Sequence, residues 1–131
     1  MREAVIVSTA RTPIGRAFKG AFNNVKSPTL LGHALQHAVS RAAVDPAEIE
    51  DVVIGSCLTA GTAGLNLGRL GSLAAGFGVT VPGQTIDRQC ASGLMAIATA
   101  AKQIVADGMT IAAAGGQENI SALNQPYAEW C

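Results

Sequence analysis

Strand-like and helix-like segments alternate along this chain of 131 residues, and the alternation predicts an α/β fold. Two observations support this fold class. The segments 3–9 and 51–55 each contain an uninterrupted apolar run, which is typical of parallel strands buried on both faces. Segments of helical periodicity separate the strands, so right-handed crossovers would place helices on both faces of a mostly parallel sheet. The predicted strands cover residues 3–9, 51–55, 79–86 and 110–114.

Each predicted helix has a recognisable start or spacing. Ser27 and Pro28 form an N-cap followed by a first-turn proline, and apolar residues then recur at helical spacing. Asp45 and Pro46 repeat this signal before one short helical turn. The other predicted helices cover residues 67–75, which are weakly amphipathic, and residues 94–106.

The helix predicted over residues 94–106 is apolar around nearly its whole circumference. A helix of this kind must be covered on every side. One sheet of four strands covers only one side, so we expect further polypeptide or another subunit to cover the other. A charged fraction of only 14%, beside 49% hydrophobic residues, also favours a layered, oligomeric protein.

The charge and cysteine patterns exclude several classes of protein. Acidic and basic residues number nine each, and this balance argues against general electrostatic binding of nucleic acid. No segment reaches the roughly 18 apolar residues of a membrane span. Cys57, Cys90 and Cys131 show neither a CxxC pair nor a metal-ligand spacing with histidine. We therefore expect reduced thiols, a cytoplasmic location and no metal site.

Cys90 lies where a predicted strand ends and a helix of small residues begins, in the run 87–93 (Asp-Arg-Gln-Cys-Ala-Ser-Gly). A thiol at a helix N-terminus faces unpaired backbone N–H groups and the positive end of the helix dipole, and both favour the thiolate. Ser92 and Gly93 keep bulk away from the sulfur, so an acyl group could approach. The pattern predicts that Cys90 is a catalytic nucleophile.

Five motifs, in order, resemble those of the thiolase family. They are residues 11–15 (Arg-Thr-Pro-Ile-Gly), 55–61, 66–69 (Asn-Leu-Gly-Arg), 90–93 (Cys-Ala-Ser-Gly) and 114–121 (Ala-Gly-Gly-Gln-Glu-Asn-Ile-Ser). Two departures leave the substrate class open without touching the nucleophile. Ile120 stands where the family usually has Met, and residues 64–69 read Gly-Leu-Asn-Leu-Gly-Arg in place of Gly-Gln-Asn-Pro-Ala-Arg.

The resemblance implies the first half of a layered αβαβα fold, in which two similar halves enclose the central helices. Residues 1–120 would form an incomplete N-terminal core that lacks its last strand, and residues 121–131 would begin a loop region. The implied activity is that of an acyl-CoA acyltransferase. Cys90 would take an acyl group from acyl-CoA as a thioester and pass it to a second acyl-CoA or to CoA, thereby condensing acetyl-CoA units or cleaving a 3-ketoacyl-CoA.

The resemblance places the family's catalytic histidine, second cysteine and Cys-x-Gly loop in a later half, so we expect this chain alone to be inactive. It implies coenzyme A thioesters as substrates, no permanently bound cofactor, a homo-oligomer (dimer or dimer of dimers) and a role in lipid metabolism. The sequence does not identify CoA-binding residues. Two alternatives remain open: a truncated, non-catalytic chain that acts only as an associating structural fragment, and a related cysteine acyltransferase such as a ketosynthase.

The other cysteines and the histidines have simpler interpretations. Cys57 follows a strand end, and we expect it to be a packing or loop thiol. Cys131 is the last residue, and we expect no chemistry from it. His33 and His37 have metal-ligand spacing on the first helix, but no third ligand is suggested nearby.

The remaining motifs are expected to be structural. The glycines of residues 61–71 lack the P-loop and GxGxxG patterns, so turns and packing explain them. Arg11 and Arg16 could be anion contacts, but we interpret them by default as solvated loop charges. Glu118 and Asn119 follow the last predicted strand, and we expect Glu118 to hold neighbouring loops rather than to act as a catalytic acid.

Overall fold

A computed structural model of the protein describes residues 2–124. Its helices are α1 (Ser27–Ala42), α2 (Leu67–Ala74) and α3 (Ser92–Lys102), and its strands are β1 (Asp51–Gly55), β2 (Gln84–Ile86) and β3 (Ala112–Gly116). Short 3-10 turns cover Pro46–Glu48, Gly61–Ala63 and Ile120–Asn124, and a π-helical turn over Gln103–Asp107 follows α3 directly.

The three strands are parallel and lie in the order β2-β1-β3. At the end of the central strand, Gly55 is in register with Ile86 on one side and with Gly116 on the other. Parallel neighbours require crossover connections. Here α2 joins β1 to β2, and α3 joins β2 to β3. The predicted α/β class with a mostly parallel sheet is confirmed.

β1 buries side chains on both faces of the sheet, and all five of its residues are buried. Val52 and Ile54 belong to a core cluster that includes residues of α1 and α2. Val53 belongs to a second cluster, with Ala96 and Ala100 of α3. Because successive strand residues point to opposite faces, α1 and α2 cover one face and α3 covers the other, as predicted.

The first turn of α3 lies directly on the ends of β1 and β3. A Cβ atom added at Gly55 would lie 2.1 Å from the carbonyl carbon of Ser92, and one added at Gly116 would lie 3.0 Å from the Cα of Gly93. Real Cβ atoms essentially never approach closer than 3.0 Å. Only glycine at position 55 allows the α3 backbone to come this close to β1. We call Gly55, Ser92, Gly93 and Gly116 the α3–sheet glycine contact.

The start of α1 lies one residue away from the predicted position. Lys26 occupies the N-cap, and Ser27 is the first helical residue. Ser27 is fully buried, and its N–H donates to the Oγ1 of Thr62 at 3.0 Å. The side chain of Thr62 therefore accepts a hydrogen bond at the start of α1, where the sequence predicted that the Ser27 side chain would be the acceptor. The cap at Asp45 is confirmed, because its Oδ1 accepts from the N–H of Ala47 at 2.9 Å.

The prediction of a strand over residues 3–9 is wrong. Residues 2–16 form no helix or strand, and Val5, Ile6 and Val7 are 71%, 72% and 74% exposed. β1 already has a neighbour on each side, and the N-terminal segment does not pair with either outer strand of the described sheet. An apolar run indicates that a segment is suited to burial, but it does not specify the surface that buries it.

The last two predicted strands have different bounds. Pairing of the third is confined to Gln84–Ile86, and Val79 is 81% exposed. Pro82 has no N–H to donate to a ladder. Gly83 packs so closely on α2 that an added Cβ would lie 2.5 Å from the backbone nitrogen of Arg69. The segment before Gln84 therefore follows α2 rather than the sheet, and the fourth predicted strand is displaced by two residues to Ala112–Gly116.

α3 begins at Ser92 and has an apolar surface beyond the sheet contact. Leu94 and Ile97 on α3, and Val105 in the π-helical turn that follows it, are 72%, 39% and 38% exposed. Residues 2–124 do not cover this surface. The second layer that the hydrophobic pattern predicts would contact these side chains.

The α3–sheet glycine contact predicts that a side chain at Gly55 lowers the stability of the fold. Gly55→Ala should destabilise the fold by more than about 3 kcal/mol, because its methyl group would overlap backbone atoms that cannot rotate away. Thermal or denaturant unfolding measures the effect. Gly115→Ala is the matched control, since a Cβ there meets nothing within 4 Å. Equal unfolding free energies for the two variants would contradict the described contact.

Candidate active site

The carboxyl ends of the three strands bring Cys57, Cys90 and Glu118 to one edge of the sheet. The ladder continues one residue beyond the strands, because the Ser56 N–H donates to the Ile86 carbonyl at 3.0 Å and the Gln117 N–H donates to the Gly55 carbonyl at 3.1 Å. Ligands of parallel α/β sheets bind outside this edge. The edge is therefore the candidate site.

A tight turn presents Cys90 between β2 and α3. The Oγ of Ser92 accepts from the Arg88 N–H at 2.8 Å and donates to the Gln89 carbonyl at 2.6 Å. The backbone N–H groups of Ala91 and Ser92 donate to the carbonyls of Arg88 and Gln89, both at 3.1 Å. These bonds hold both sides of the turn around Cys90.

Gln89 adopts a left-handed backbone conformation immediately before Cys90, with φ of 51°. This conformation is costly for a residue with a Cβ, and such residues cluster at functional sites. The Oδ1 of Asp87 accepts from the Gln89 N–H at 2.8 Å and so stabilises the turn. The sequence interpretation missed both residues. An aspartate that bonds the backbone two residues later is the turn signal that could have identified them.

Cys90 is exposed and is a free thiol. It lies two residues before the first residue of α3, and no side chain caps that helix at Ala91. The expected position at a helix N-terminus is therefore correct to within two residues. The sulfur is accessible from solvent beside the positive end of the helix dipole.

Glu118 ties the loop after β1 to the end of β3. Its Oε1 accepts from the Cys57 N–H at 2.5 Å, and its Oε2 accepts from the Leu58 N–H at 3.1 Å. A carboxylate that accepts two backbone N–H bonds is strongly held. These contacts agree with the expected loop-holding role of Glu118.

Cys57 lies at the same edge but in a different electrostatic setting. Burial raises the pKa of the Cys57 thiol. The negative charge of Glu118 and hydrogen bonding of the thiol to the Glu118 carboxylate raise this pKa further. Smaller contributions in the same direction come from Asp87 and Cys90. A raised pKa keeps the thiol protonated, and the protonated form is a poor nucleophile.

The motif at residues 66–69 has a structural role in this chain. The Oδ1 of Asn66 accepts from the Arg69 N–H at 3.1 Å, which caps α2, and its Nδ2 donates to the Gly83 carbonyl at 2.7 Å. The Arg69 guanidinium donates to the carbonyls of Val81 and Val79. An added Cβ at Gly68 would lie 2.3 Å from the Gln84 carbonyl oxygen. Turns and packing therefore account for this glycine-rich stretch, as predicted.

The remaining sequence candidates lie away from this edge or outside the description. His33 and His37 lie on α1 and contribute, with Arg11, to a separate cleft. Residues 2–124 contain no group of three side chains able to hold a metal ion. Among the same residues, no helix has the length and hydropathy needed to cross a bilayer. Cys131 lies outside the described residues.

Comparisons with known proteins match this chain to acyltransferases. It is 42% identical over 122 residues to the acetyl-CoA acetyltransferase of Cupriavidus necator, and 40% identical over 123 residues to the 3-ketoacyl-CoA thiolase of Bacillus subtilis. These alignments cover 93% and 94% of this chain but only 30% and 32% of the relatives. The chain therefore spans about a third of their length.

A solved structure and a family match agree with these relatives. The crystal structure of the Bacillus anthracis acetyl-CoA acetyltransferase superposes with a TM-score of 0.78 at 43% identity, over 88% of this chain and 29% of that one. Residues 4–129 match the family described as thiolase, N-terminal domain. The parallel sheet with helices on both faces is consistent with that fold. The chain therefore belongs to the thiolase family, and its residues 4–129 match that family's N-terminal domain.

Proposed function

We propose that this chain carries the nucleophile of an acyl-CoA acyltransferase of the thiolase type, and that Cys90 is that nucleophile. The observation that carries the proposal is the position of the Cys90 thiol. It is exposed at the carboxyl edge of the sheet, in a hydrogen-bonded turn that leads into α3. The names of the relatives support acyl-CoA as the acyl donor.

The first step is formation of a thioester. The thiolate of Cys90 bonds to the carbonyl carbon of acyl-CoA, the bond from that carbon to the CoA sulfur breaks, and CoA leaves as a thiolate that takes up a proton. Negative charge develops on the carbonyl oxygen during this step. The backbone N–H of Cys90 is our candidate for one donor to that oxygen.

The second step transfers the acyl group from Cys90 to an acceptor. The acceptor is the α-carbon of a second acyl-CoA, after a base has removed its proton, or the thiol of CoA. His33 and His37, the two histidines of these 131 residues, both lie on α1 rather than at this edge. We therefore propose that the base comes from sequence outside these residues, and that this chain alone does not turn over substrate.

Assembly and location belong to the same proposal. The exposed apolar side chains Leu94, Ile97 and Val105 favour packing of α3 and the π-helical turn after it against further polypeptide, and we propose a homo-oligomer. Cys57 and Cys90 are free thiols, which suits a reducing, cytoplasmic location. We propose that the protein holds no permanently bound cofactor and that it acts in lipid metabolism.

Acylation of Cys90 tests the proposed function. Incubation of the full chain with acetyl-CoA should produce an acetyl thioester on the peptide that contains Cys90, as detected by mass spectrometry. Cys90→Ala should abolish the adduct, because it removes the thiol of the turn, and the Ser92 hydroxyl there is already engaged in hydrogen bonds. Cys57→Ala is the matched control and should retain it. An adduct that persists in Cys90→Ala, or that appears on Cys57, would refute the assignment.

The two thiols should also differ in their reaction with iodoacetamide. At neutral pH Cys90 should be alkylated faster, because the raised pKa of Cys57 leaves little of it as thiolate. Alkylation of Cys57 should rise with pH as its thiol ionises. Glu118→Gln, which removes the neighbouring charge, should shift this rise to lower pH. Equal rates at both thiols in the folded protein would contradict the described difference.

A further inference from the structure

Four nitrogen-rich side chains that the proposed reaction does not use line one cleft on α1. The cleft has a volume of about 180 Å³ and is lined by Arg11, His33, His37 and Arg41, with two alanines. The sequence shows the histidines as a pair and Arg11 as an isolated loop charge. The structure brings them together.

The helix and the N-terminal segment form opposite walls of this cleft. His33, His37 and Arg41 are four residues apart, so they lie on one face of α1, opposite the face that buries Leu31 and Leu35. The Nη1 of Arg41 donates to the Thr9 carbonyl at 2.9 Å. This bond holds the segment against the helix two residues before Arg11.

The charge of the lining favours an anion over a metal ion. Arg11 and Arg41 carry permanent positive charges, and the lining contains no carboxylate. Two imidazoles at helical spacing could bind a divalent cation, but two nearby guanidinium groups would repel it. The rings of His33 and His37 are in edge contact, with centroids 4.4 Å apart. Their N–H groups can donate to an oxyanion beside the arginines.

We propose that Arg11, His33, His37 and Arg41 form a binding site for a phosphate group. Guanidinium groups match the oxygen geometry of phosphate and bind it through paired hydrogen bonds. The bond to Thr9 uses only one of the five N–H donors of Arg41, so the others are able to bind the ligand. The cleft accommodates one such group rather than an extended acidic peptide. This site is independent of the acyl chemistry proposed for Cys90.

Phosphate titration of the full chain tests the site. Inorganic phosphate is added at constant ionic strength, and the imidazole NMR signals of His33 and His37 are followed, assigned by the variants His33→Ala and His37→Ala. Saturable shifts of both signals are expected. A linear, non-saturating response, which is what weak non-specific association produces, would overturn the proposal.

Charge variants identify the groups that bind. Arg11→Gln should weaken phosphate binding by about two- to fivefold, the size of an exposed ion-pair contribution, and it leaves the Arg41–Thr9 bond intact. Arg41→Lys keeps the charge but loses the fork geometry, and it should also weaken binding. Arg16→Gln, on the same segment but outside the cleft lining, is the control and should bind normally. Equal weakening by Arg16→Gln and Arg11→Gln would overturn the assignment.

A second probe distinguishes a free phosphate from the phosphate of a larger molecule. Adenosine 3′,5′-bisphosphate is titrated in the same way. Tighter binding than inorganic phosphate, lost in Arg11→Gln, would identify a nucleotide phosphate as the ligand. Equal binding of the two probes would identify free phosphate. Failure of both to shift the histidine signals would overturn the proposal, whatever the outcome of Cys90 acylation.

Discussion

The close approach of α3 to the ends of β1 and β3 is the constraint on which the candidate site depends. Gly55 and Gly116 remove two side chains from the contact, so the backbone of the first helical turn meets the sheet directly. The turn of Cys90 connects β2 to this same helical turn. Its position relative to the three strand ends is therefore set by backbone packing rather than by flexible side chains. Closely packed backbone has few alternative arrangements, which suits a group that must meet a substrate carbon.

The same edge carries two thiols with different chemical settings. Cys90 lies in an exposed turn, whereas Glu118 accepts from the backbone N–H of Cys57 and contributes to the raised pKa of the Cys57 thiol. The carboxylate thus combines two effects. It fixes the loop after β1 by charge-assisted hydrogen bonds, and it keeps the neighbouring thiol protonated. This arrangement supports the proposal that Cys90, rather than Cys57, is the nucleophile.

Local patterns made much of the fold predictable. The sequence predicted β1 because its apolar run is bounded by a charged residue and a glycine. It predicted α1 because of the helical periodicity and the Ser-Pro start. The position of Cys90 followed from recognising the end of one element and the start of the next. The apolar run at residues 3–9 misled the strand prediction, because strand formation depends on a neighbouring strand that a single run does not contain.

Backbone details and long-range contacts were not predicted. Asp87 is a readable turn signal, but no composition rule assigns the left-handed conformation within that turn to glutamine at position 89. The sequence showed many glycines but not which of them contact another backbone. Arg11 and Arg41 are separated by 30 positions, so only the folded chain brings them to the same cleft.

The α3–sheet glycine contact is claimed to position Cys90. The claim is tested most directly by the single-turnover rate at which acetyl-CoA acetylates Cys90 in the variant Gly116→Ala. An added Cβ would lie 3.0 Å from the Gly93 Cα, close enough to displace the first turn of α3 slightly without preventing folding. We expect the rate to fall by about tenfold or more, since small misplacements of a reacting group are costly. Gly115→Ala, whose Cβ meets nothing within 4 Å, should react at the unsubstituted rate. Acetylation at the unsubstituted rate in a folded Gly116→Ala variant would contradict the claim that this contact positions Cys90.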